Sequence, residues 1–348
     1  MANQPVQYLV TTEAARLPQG DRGQIWMVDG TVPGWQASPG DRLWDHHRPG
    51  GAPIQIEEMP LPTGPRSLLA EESDGQRQPY LVTTLLDADA CTAAAWVQLE
   101  RSHLENPSVV RRLRALAWDC DHLRVPPELA DLADWALGAG EVLQTHKTVV
   151  AKRLHLPADP QDWTPGDRIR CASIGFQDFT EWLMAAARGD RSWPGDGAMG
   201  DRVRQTMEQM ADQLIAQQRV WFIETDGGAI AVCNGRSWGD DGWVNPRAFY
   251  RALARLTPPA PLRAATISMR DRADGTLGYT IGSIPLHPDQ AALDYTQGTF
   301  EALTAAERRK LPDADPWGGR KTVGGSPWNM PSHLTPEEVA AAIAQSTP

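Results

Sequence analysis

The sequence predicts an α/β fold, with a doubly wound and mainly parallel sheet followed by a second, smaller α+β domain. Three short apolar runs in the first third each end in acidic or imidazole side chains. Uninterrupted runs of this length are typical of strands buried on both faces of a parallel sheet. Two hairpin signals later in the chain indicate antiparallel strands instead. A chain of 348 residues accommodates two domains, which we place at residues 1–195 and 200–348.

The three apolar runs predict strands at residues 24–28, 42–44 and 80–86. They are followed, respectively, by Asp29-Gly30, Asp45-His46-His47 and Asp87-Ala88-Asp89. In parallel sheets ligands gather at the carboxyl ends of the strands. We therefore expect these three polar clusters to meet in one crevice.

The middle of the chain is mostly helical in pattern. Helices are predicted at residues 90–101, 128–156, 176–188 and 201–218. Gly138 and Gly140 weaken the second of these helices, and the glycine-rich segment 189–200 is the best linker candidate. A further short apolar run, residues 113–118, ends in Asp119-Cys120-Asp121-His122.

The last third predicts the smaller domain. Hairpins are expected around Asp226-Gly227-Gly228 and Asp274-Gly275, each flanked by apolar strand patterns. The predicted strands span residues 220–225, 229–233, 265–270 and 277–281, and the predicted helices span 246–255, 287–310 and the tail from Pro336. The two hairpins favour a smaller α+β domain on a mostly antiparallel sheet.

Charge and composition narrow the function classes. The formal net charge of −11 disfavours bulk nucleic-acid binding by charge attraction. No apolar run approaches the ~20 residues of a membrane helix, and the N-terminus lacks signal-peptide features, so we expect a cytoplasmic protein. Four cysteines without CxxC spacing are expected to be reduced, interior thiols.

Mixed carboxylate and imidazole groups at strand ends indicate a site for Mn²⁺, Mg²⁺ or Fe²⁺. A two-metal cluster requires a bridging carboxylate and several terminal ligands. The candidate ligands are Asp29, Asp45, His46, His47, Asp87, Asp89 and Asp121. Each has a simpler alternative: a solvated loop for Asp45-His46-His47, helix capping for Asp87 and Asp89, and a turn for Asp29-Gly30. Asp119 is an equal candidate to Asp121.

These motifs resemble the DHH phosphoesterase superfamily. That superfamily includes family II inorganic pyrophosphatases, RecJ-type exonucleases and bacterial oligoribonucleotide and cyclic-dinucleotide hydrolases. The matching pieces are Asp87-Ala88-Asp89, the strand-end Asp29, Asp45-His46-His47 and the later Asp119 or Asp121, so the resemblance spans residues 25–122 and 317–328. The superfamily's second domain holds the substrate phosphate on a glycine segment. The counterpart here is Gly318, Gly319, Arg320, Lys321, Gly324, Gly325 and Ser326.

The resemblance implies metal-assisted hydrolysis of a small phosphorylated substrate or a short nucleotide. Two divalent ions, Mn²⁺ or Mg²⁺ with Fe²⁺ also allowed, share a hydroxide that attacks phosphorus. Asp45, His46 and His47 are the implied catalytic residues, with His47 either a ligand or a proton donor. Arg320 and Lys321 neutralise the developing charge. A homodimer is compatible with the sequence.

Three departures qualify the resemblance. The Asp-x-Asp strand follows Asp45-His46-His47 instead of preceding it, which indicates a circularly permuted and divergent form. Thr83 stands where a histidine usually precedes Asp-x-Asp by four positions, and Arg320 stands where the glycine segment usually has histidine. The alternative function is therefore a catalytically degenerate relative that binds a nucleotide or a protein partner without turnover.

Overall fold

The computed structural model divides the chain into two compact units, Met1–Val203 and Arg204–Pro348. We call them the N-terminal unit and the C-terminal unit. The structure describes residues 5–18, 23–44, 56–73, 75–238, 244–271, 276–284, 293–319, 321–327 and 330–346. The boundary between the units falls within a single helix, Gly197–Ala216.

A parallel four-stranded sheet forms the centre of the N-terminal unit. Its strands are β1 Gln7–Val10, β2 Gly23–Val28, β3 Arg42–Trp44 and β4 Gln78–Thr83. They lie in the order β1-β4-β2-β3, and every described pairing is parallel. Three of these strands confirm predicted runs. β1 was not among the predicted strands; unlike the three predicted runs, it is followed by threonines and not by acidic or imidazole side chains.

The helices of this unit lie on one face of the sheet. Trp26, Val28 and Leu81 point to that face and pack with the helices, whereas Met27 and Val82 point to the opposite face with the turn segments 14–17 and 32–35. The doubly wound arrangement, with helices on both faces, is therefore not what the described residues show. The described residues of the connections after β1 and β2 form turns and a 3₁₀ segment, so these residues place no α-helix on the second face.

In the described part of the chain, six α-helices precede the boundary helix. They are α1 Leu68–Glu72, α2 Ala88–Gln98, α3 Arg101–Leu104, α4 Pro107–His122, α5 Ala133–Arg153 and α6 Pro165–Arg188. The predicted separate run at residues 113–118 lies inside α4. The reason is helical periodicity: Val109, Leu113 and Leu116 or Ala117 recur every three or four residues and are buried. Asn106 caps the helix by accepting a hydrogen bond from the Ser108 N–H at 3.0 Å.

Glycines allow the segment before the boundary helix, α7 Gly197–Ala216, to pack closely on α5. A Cβ at Gly138 would lie 2.6 Å from the carbonyl oxygen of Asp196, and a Cβ at Gly195 would lie 2.5 Å from the backbone nitrogen of Ala139. Gly195 also has a φ of +74°. In the predicted linker, Gly195 thus permits close backbone contact. Glycine content alone does not show whether a segment is flexible or closely packed.

The C-terminal unit contains a six-stranded mixed sheet. Its strands are β5 Val220–Thr225, β6 Gly228–Asn234, β7 Leu262–Asp271, β8 Leu277–Ser283, β9 Gly318–Gly319 and β10 Val323–Gly325. Their order is β5-β6-β7-β8-β10-β9, and only the β6–β7 pairing of the described strands is parallel. The antiparallel pairings β5–β6 and β7–β8 confirm the strands of both predicted hairpins, because turn residues and strand alternation are local signals. The second predicted turn, Asp274-Gly275, lies outside the described residues.

Helices α8 Pro246–Leu253, α9 Thr299–Lys310 and α10 Pro336–Ser346 complete this unit. The predicted helix 287–310 begins too early: residues 287–292 lie outside the described part of the chain, residues 293–298 form loop and turn, and the helix starts at Thr299 after the left-handed Gly298. Its residue Glu307 is fully buried and accepts hydrogen bonds from the Trp317 Nε1–H at 3.1 Å and the Ser332 hydroxyl at 2.7 Å. This carboxylate therefore ties the segment before α10 to α9. Among the described residues, no helix combines the length and the apolar character that a bilayer crossing requires.

Candidate metal centre

The site is built at the carboxyl edge of the parallel sheet. Asp29 follows β2 directly, and its N–H donates to the carbonyl oxygen of Trp44, the last residue of β3, at 2.8 Å. The backbone of Asp29 is left-handed, with a φ of +49°. At the next residue, Gly30, a Cβ would overlap the side chain of Thr84. The chain therefore turns sharply after β2, close against the end of β4.

Thr83, the last residue of β4, joins the two strand ends. It is fully buried. Its hydroxyl lies 3.3 Å from the carbonyl oxygen of Asp29 and 3.2 Å from that of Leu85, and these two acceptors share its single proton. In the phosphoesterases that the motifs resemble, a histidine ligand usually stands at this position. Thr83 here supplies hydrogen bonds that fix the backbone around Asp29.

The two aspartates of the Asp-x-Asp motif have different environments. Asp87 is the N-cap of α2, and its carboxylate accepts a hydrogen bond from the Ala90 N–H at 2.9 Å. Asp89 lies in the first turn of the same helix and is only 2% exposed. Carboxylates are favoured at both positions because the positive end of the helix dipole lies there.

Three carboxylates from three different elements meet at this edge. One oxygen of each of Asp29, Asp89 and Asp121 lies within 4.8 Å of those of the other two. We call these residues the acidic triad. Asp29 and Asp89 are buried, and Asp121, in the last turn of α4, is half-buried. Asp119, the alternative to Asp121, is buried on α4 outside this triad.

Electrostatics makes the acidic triad a candidate cation site. Two negative charges at about 4–5 Å repel by about 3–4 kcal/mol at an effective dielectric constant near 20. A divalent cation or a bound proton offsets this repulsion. The donors are all carboxylate oxygens, which are the ligands that Mg²⁺ and Mn²⁺ prefer. The residues present therefore fit a hard divalent ion.

Two residues that were not predicted to belong to the site lie near its aspartates: Cys120 near Asp87, Asp89 and Asp121, and Lys147 near Asp87. Burial raises the pKa of the Cys120 thiol well above its usual range, and the charges of Asp87, Asp89 and Asp121 act in the same direction. Burial lowers the pKa of Lys147 on α5, while the nearby carboxylate of Asp87 opposes this shift. The sequence carries no signal for either, because both reach the site through helix packing.

The structure leaves several predicted site residues untested. Asp45, His46 and His47 follow β3 directly in the chain, and they lie outside the described residues. Arg320 also lies outside them. The described part of the chain therefore tests the convergence of Asp29, Asp89 and Asp121, but not the histidine ligands of the predicted centre.

The predicted substrate-binding glycine segment forms the β9–β10 hairpin at one edge of the sheet of the C-terminal unit. Gly319 pairs with Gly324, and Gly318 pairs with Gly325. A Cβ at Gly319 would overlap the backbone of Gly324, so close packing accounts for this glycine. The other two described residues of the segment differ in exposure: Lys321 is exposed, and Ser326 is buried with its hydroxyl accepting from the Tyr279 N–H at 3.0 Å.

No family model matches this chain, and no curated protein matches it in sequence. The function is therefore argued from the chemistry of the residues. The described residues form an α/β protein with a parallel sheet in the N-terminal unit and a mostly antiparallel sheet in the C-terminal unit. Three carboxylates lie together at the carboxyl edge of the first sheet.

Proposed function

We propose that this protein is a divalent-metal-dependent phosphohydrolase whose metal site includes Asp29, Asp89 and Asp121. The observation that carries the proposal is their convergence within 4.8 Å from β2, α2 and α4. The proposal includes Asp45, His46 and His47 as further ligands or catalytic groups and Asp87 as a ligand. It also includes a circularly permuted DHH-like fold for the N-terminal unit and a cytoplasmic location.

The chemistry follows from the donor set. When bound, Mn²⁺ or Mg²⁺ supplies a Lewis acid that polarises a phosphoryl group and lowers the pKa of coordinated water. Asp29 and Asp89 are held by the turn after β2 and by the first turn of α2, so they provide a fixed geometry for the ion. His46 or His47 is the proposed proton donor to the leaving oxygen. Arg320 and Lys321 are the proposed contacts to the substrate phosphate.

One observation favours the alternative of binding without turnover. Thr83 occupies the position of an expected histidine ligand, and its hydroxyl is used by the backbone of Asp29 and Leu85. A centre with one ligand fewer binds one of its two ions less tightly. A nucleotide- or protein-binding relative tolerates that loss, because binding does not require two ions to act together.

Metal binding is tested by calorimetric titration of the apo-protein with Mn²⁺. Asp29→Asn, Asp89→Asn and Asp121→Asn should each weaken Mn²⁺ affinity by at least about tenfold, since changes even to groups behind metal ligands cost 10- to 100-fold. The matched control is Asp131→Asn, which removes an exposed carboxylate that pairs with Arg111. Equal Mn²⁺ affinity in all variants would refute the metal site.

In the metal-free protein, removal of a triad carboxylate should increase stability, although the same change weakens Mn²⁺ binding. Removing one of three mutually repelling charges should raise the free energy of unfolding of Asp121→Asn by roughly 1–3 kcal/mol. Mn²⁺ at about 100 times its Kd should stabilise the wild type by about 2.7 kcal/mol and this variant much less. Urea unfolding with and without Mn²⁺ measures both, and a destabilised metal-free variant would count against the repulsion.

Turnover separates the two functions. We expect hydrolysis of bis(p-nitrophenyl) phosphate in the presence of Mn²⁺ by the wild type and by Asp131→Asn, and its loss in Asp89→Asn. Mn²⁺ binding without hydrolysis of this diester or of p-nitrophenyl phosphate would support the degenerate binding protein instead.

A further inference from the structure

A cavity of about 600 Å³ lies along α9 in the C-terminal unit. Phe300 and Trp317 form its apolar floor, Ala305 lies between the two ends, Glu301 lies at one end, and Arg308 and Arg309 lie at the other. Glu301 and Arg308 are seven residues apart on one helix, so the two ends are separated by roughly 10 Å along the axis. The cavity is therefore elongated along the helix, with an acidic side chain at one end and two basic side chains at the other.

The floor of this cavity is held in place by the rest of the unit. The backbone N–H of Trp317 donates to the hydroxyl of the buried Thr304 at 2.9 Å, and its indole N–H donates to Glu307 at 3.1 Å. Phe300 is 8% exposed and contacts Gly324 so closely that a Cβ there would overlap the ring. A rigid apolar floor is preorganised for an apolar ligand group, because little conformational entropy is lost on binding.

The arginine end is suited to an anion. The Arg308 Nε–H donates to the carbonyl oxygen of Ala314 at 3.1 Å, which fixes the guanidinium at the rim of the cavity. The four N–H groups on its two terminal nitrogens can donate to a ligand. Arg309 lies next to it and is exposed. Lys310, the following residue, differs from both because it pairs with Glu338 at 2.5 Å and donates to the carbonyl oxygen of His333 at 2.8 Å. Guanidinium groups match phosphate and carboxylate geometry.

We propose that this cavity binds a small organic anion with one acidic group on an apolar body. The apolar body lies on the Phe300 and Trp317 floor, and its phosphate or carboxylate contacts Arg308 and Arg309. Glu301 excludes a second acidic group at the other end. This ligand site uses no residue of the acidic triad, so it goes beyond the proposed phosphohydrolase function and stands or falls separately from it.

The test is calorimetric titration of the full chain with phenyl phosphate, benzoate, inorganic phosphate and phenol. A chelator is present throughout, so that divalent ions at the acidic triad do not contribute. Phenyl phosphate or benzoate should bind at least about tenfold more tightly than both inorganic phosphate and phenol, because only they engage floor and arginines together. Comparison of these two ligands shows whether phosphate or carboxylate is preferred.

Variants locate the site. Arg309→Gln should weaken binding of the preferred ligand by about tenfold, the size expected for loss of a charge-assisted hydrogen bond. Glu301→Gln should strengthen it, and Ala305→Phe should block it by filling the cavity from an exposed helix position. Lys310→Gln is the matched control: it removes the same charge from the neighbouring residue, whose side chain pairs elsewhere, and should leave binding unchanged.

Several outcomes would overturn the proposal. The first is that neither phenyl phosphate nor benzoate binds. The second is that they bind no more tightly than inorganic phosphate and phenol. The third is that Arg309→Gln and Lys310→Gln weaken ligand affinity equally. Unchanged binding in Ala305→Phe would overturn it as well. Asp89→Asn should bind these ligands as the wild type does, so a failure of the metal site and a failure of this site are distinguishable.

Discussion

Thr83 shows how one side chain fixes the position of a candidate ligand. Its hydroxyl, buried between β2 and β4, bonds to the carbonyl oxygens of Asp29 and Leu85. The left-handed backbone at Asp29 is held by this contact and by the hydrogen bond from its N–H to Trp44. A strained backbone persists where surrounding bonds determine it.

Replacing Thr83 by valine keeps the shape and removes the hydroxyl. The two carbonyl oxygens then lose a donor, and we expect the free energy of unfolding to fall by about 1–3 kcal/mol in urea titrations. Mn²⁺ affinity should also fall, because Asp29 is held less firmly. Thr83→Ser keeps the hydroxyl and should keep the Mn²⁺ affinity. A valine variant as stable as the wild type would contradict this role.

Asp87 and Asp89 illustrate that position within a helix turn determines what the same residue type does. Asp87 is the N-cap and bonds to the Ala90 N–H, with Lys147 nearby. Asp89, two residues later, is turned by about 200° around the axis and belongs to the acidic triad. The sequence motif alone left capping and metal ligation open for both residues, and the structure shows capping for Asp87.

At the scale of elements, helix α4 determines which carboxylate joins Asp29 and Asp89 in the acidic triad. Residues 113–118 were predicted to form a separate short run. The helical apolar spacing instead begins at Val109, and these residues belong to the single 16-residue helix α4. This helix carries Asp121, not Asp119, to the acidic triad. A helical period is visible only when a window longer than the short apolar run is considered.

Two glycines of α5 give a matched test of close packing. Alanine normally stabilises a helix interior by about 0.5–1 kcal/mol relative to glycine. Gly140→Ala should show this gain, because a Cβ there has no neighbour within 4 Å. Gly138→Ala should instead lower the free energy of unfolding by roughly 1–3 kcal/mol, since its Cβ would lie 2.6 Å from the Asp196 carbonyl oxygen. Urea unfolding measures both, and a stabilised Gly138→Ala would refute the close contact.

At the scale of the whole molecule, buried acids of high pKa determine the response to alkaline pH. Burial raises the pKa of all four thiols from 9.0 and of four tyrosines from 10.0. For Cys233 the pKa rises to about 12. These groups keep their protons in the folded state at a pH at which the unfolded chain loses them. Their stabilising contribution is therefore complete below about pH 9 and is lost as the pH rises further.

We expect the melting temperature to fall between pH 8 and pH 10.5. Lys147 acts in the opposite direction, because burial lowers its pKa and stability rises with pH up to its ordinary value of 10.5. It is one group against eight, so the fall should prevail. A calorimetric melting temperature that is equal or higher at pH 10.5 would contradict the prediction. As an independent check, iodoacetamide at pH 8 should label the native thiols slowly and all four rapidly in urea.

The sequence by itself determined the local features: the three acid-terminated strands, the two hairpins of the C-terminal unit, and the expectation that Asp29 and Asp89 meet at one sheet edge. These follow from period, turn chemistry and the shared direction of parallel strands. Only the tertiary structure decided that β1 joins the sheet, that the helices cover one face, that Asp121 completes the acidic triad, and that Lys147 lies near Asp87. Those outcomes depend on which distant segments pack together, and packing free energy is a property of contacts that no local pattern encodes.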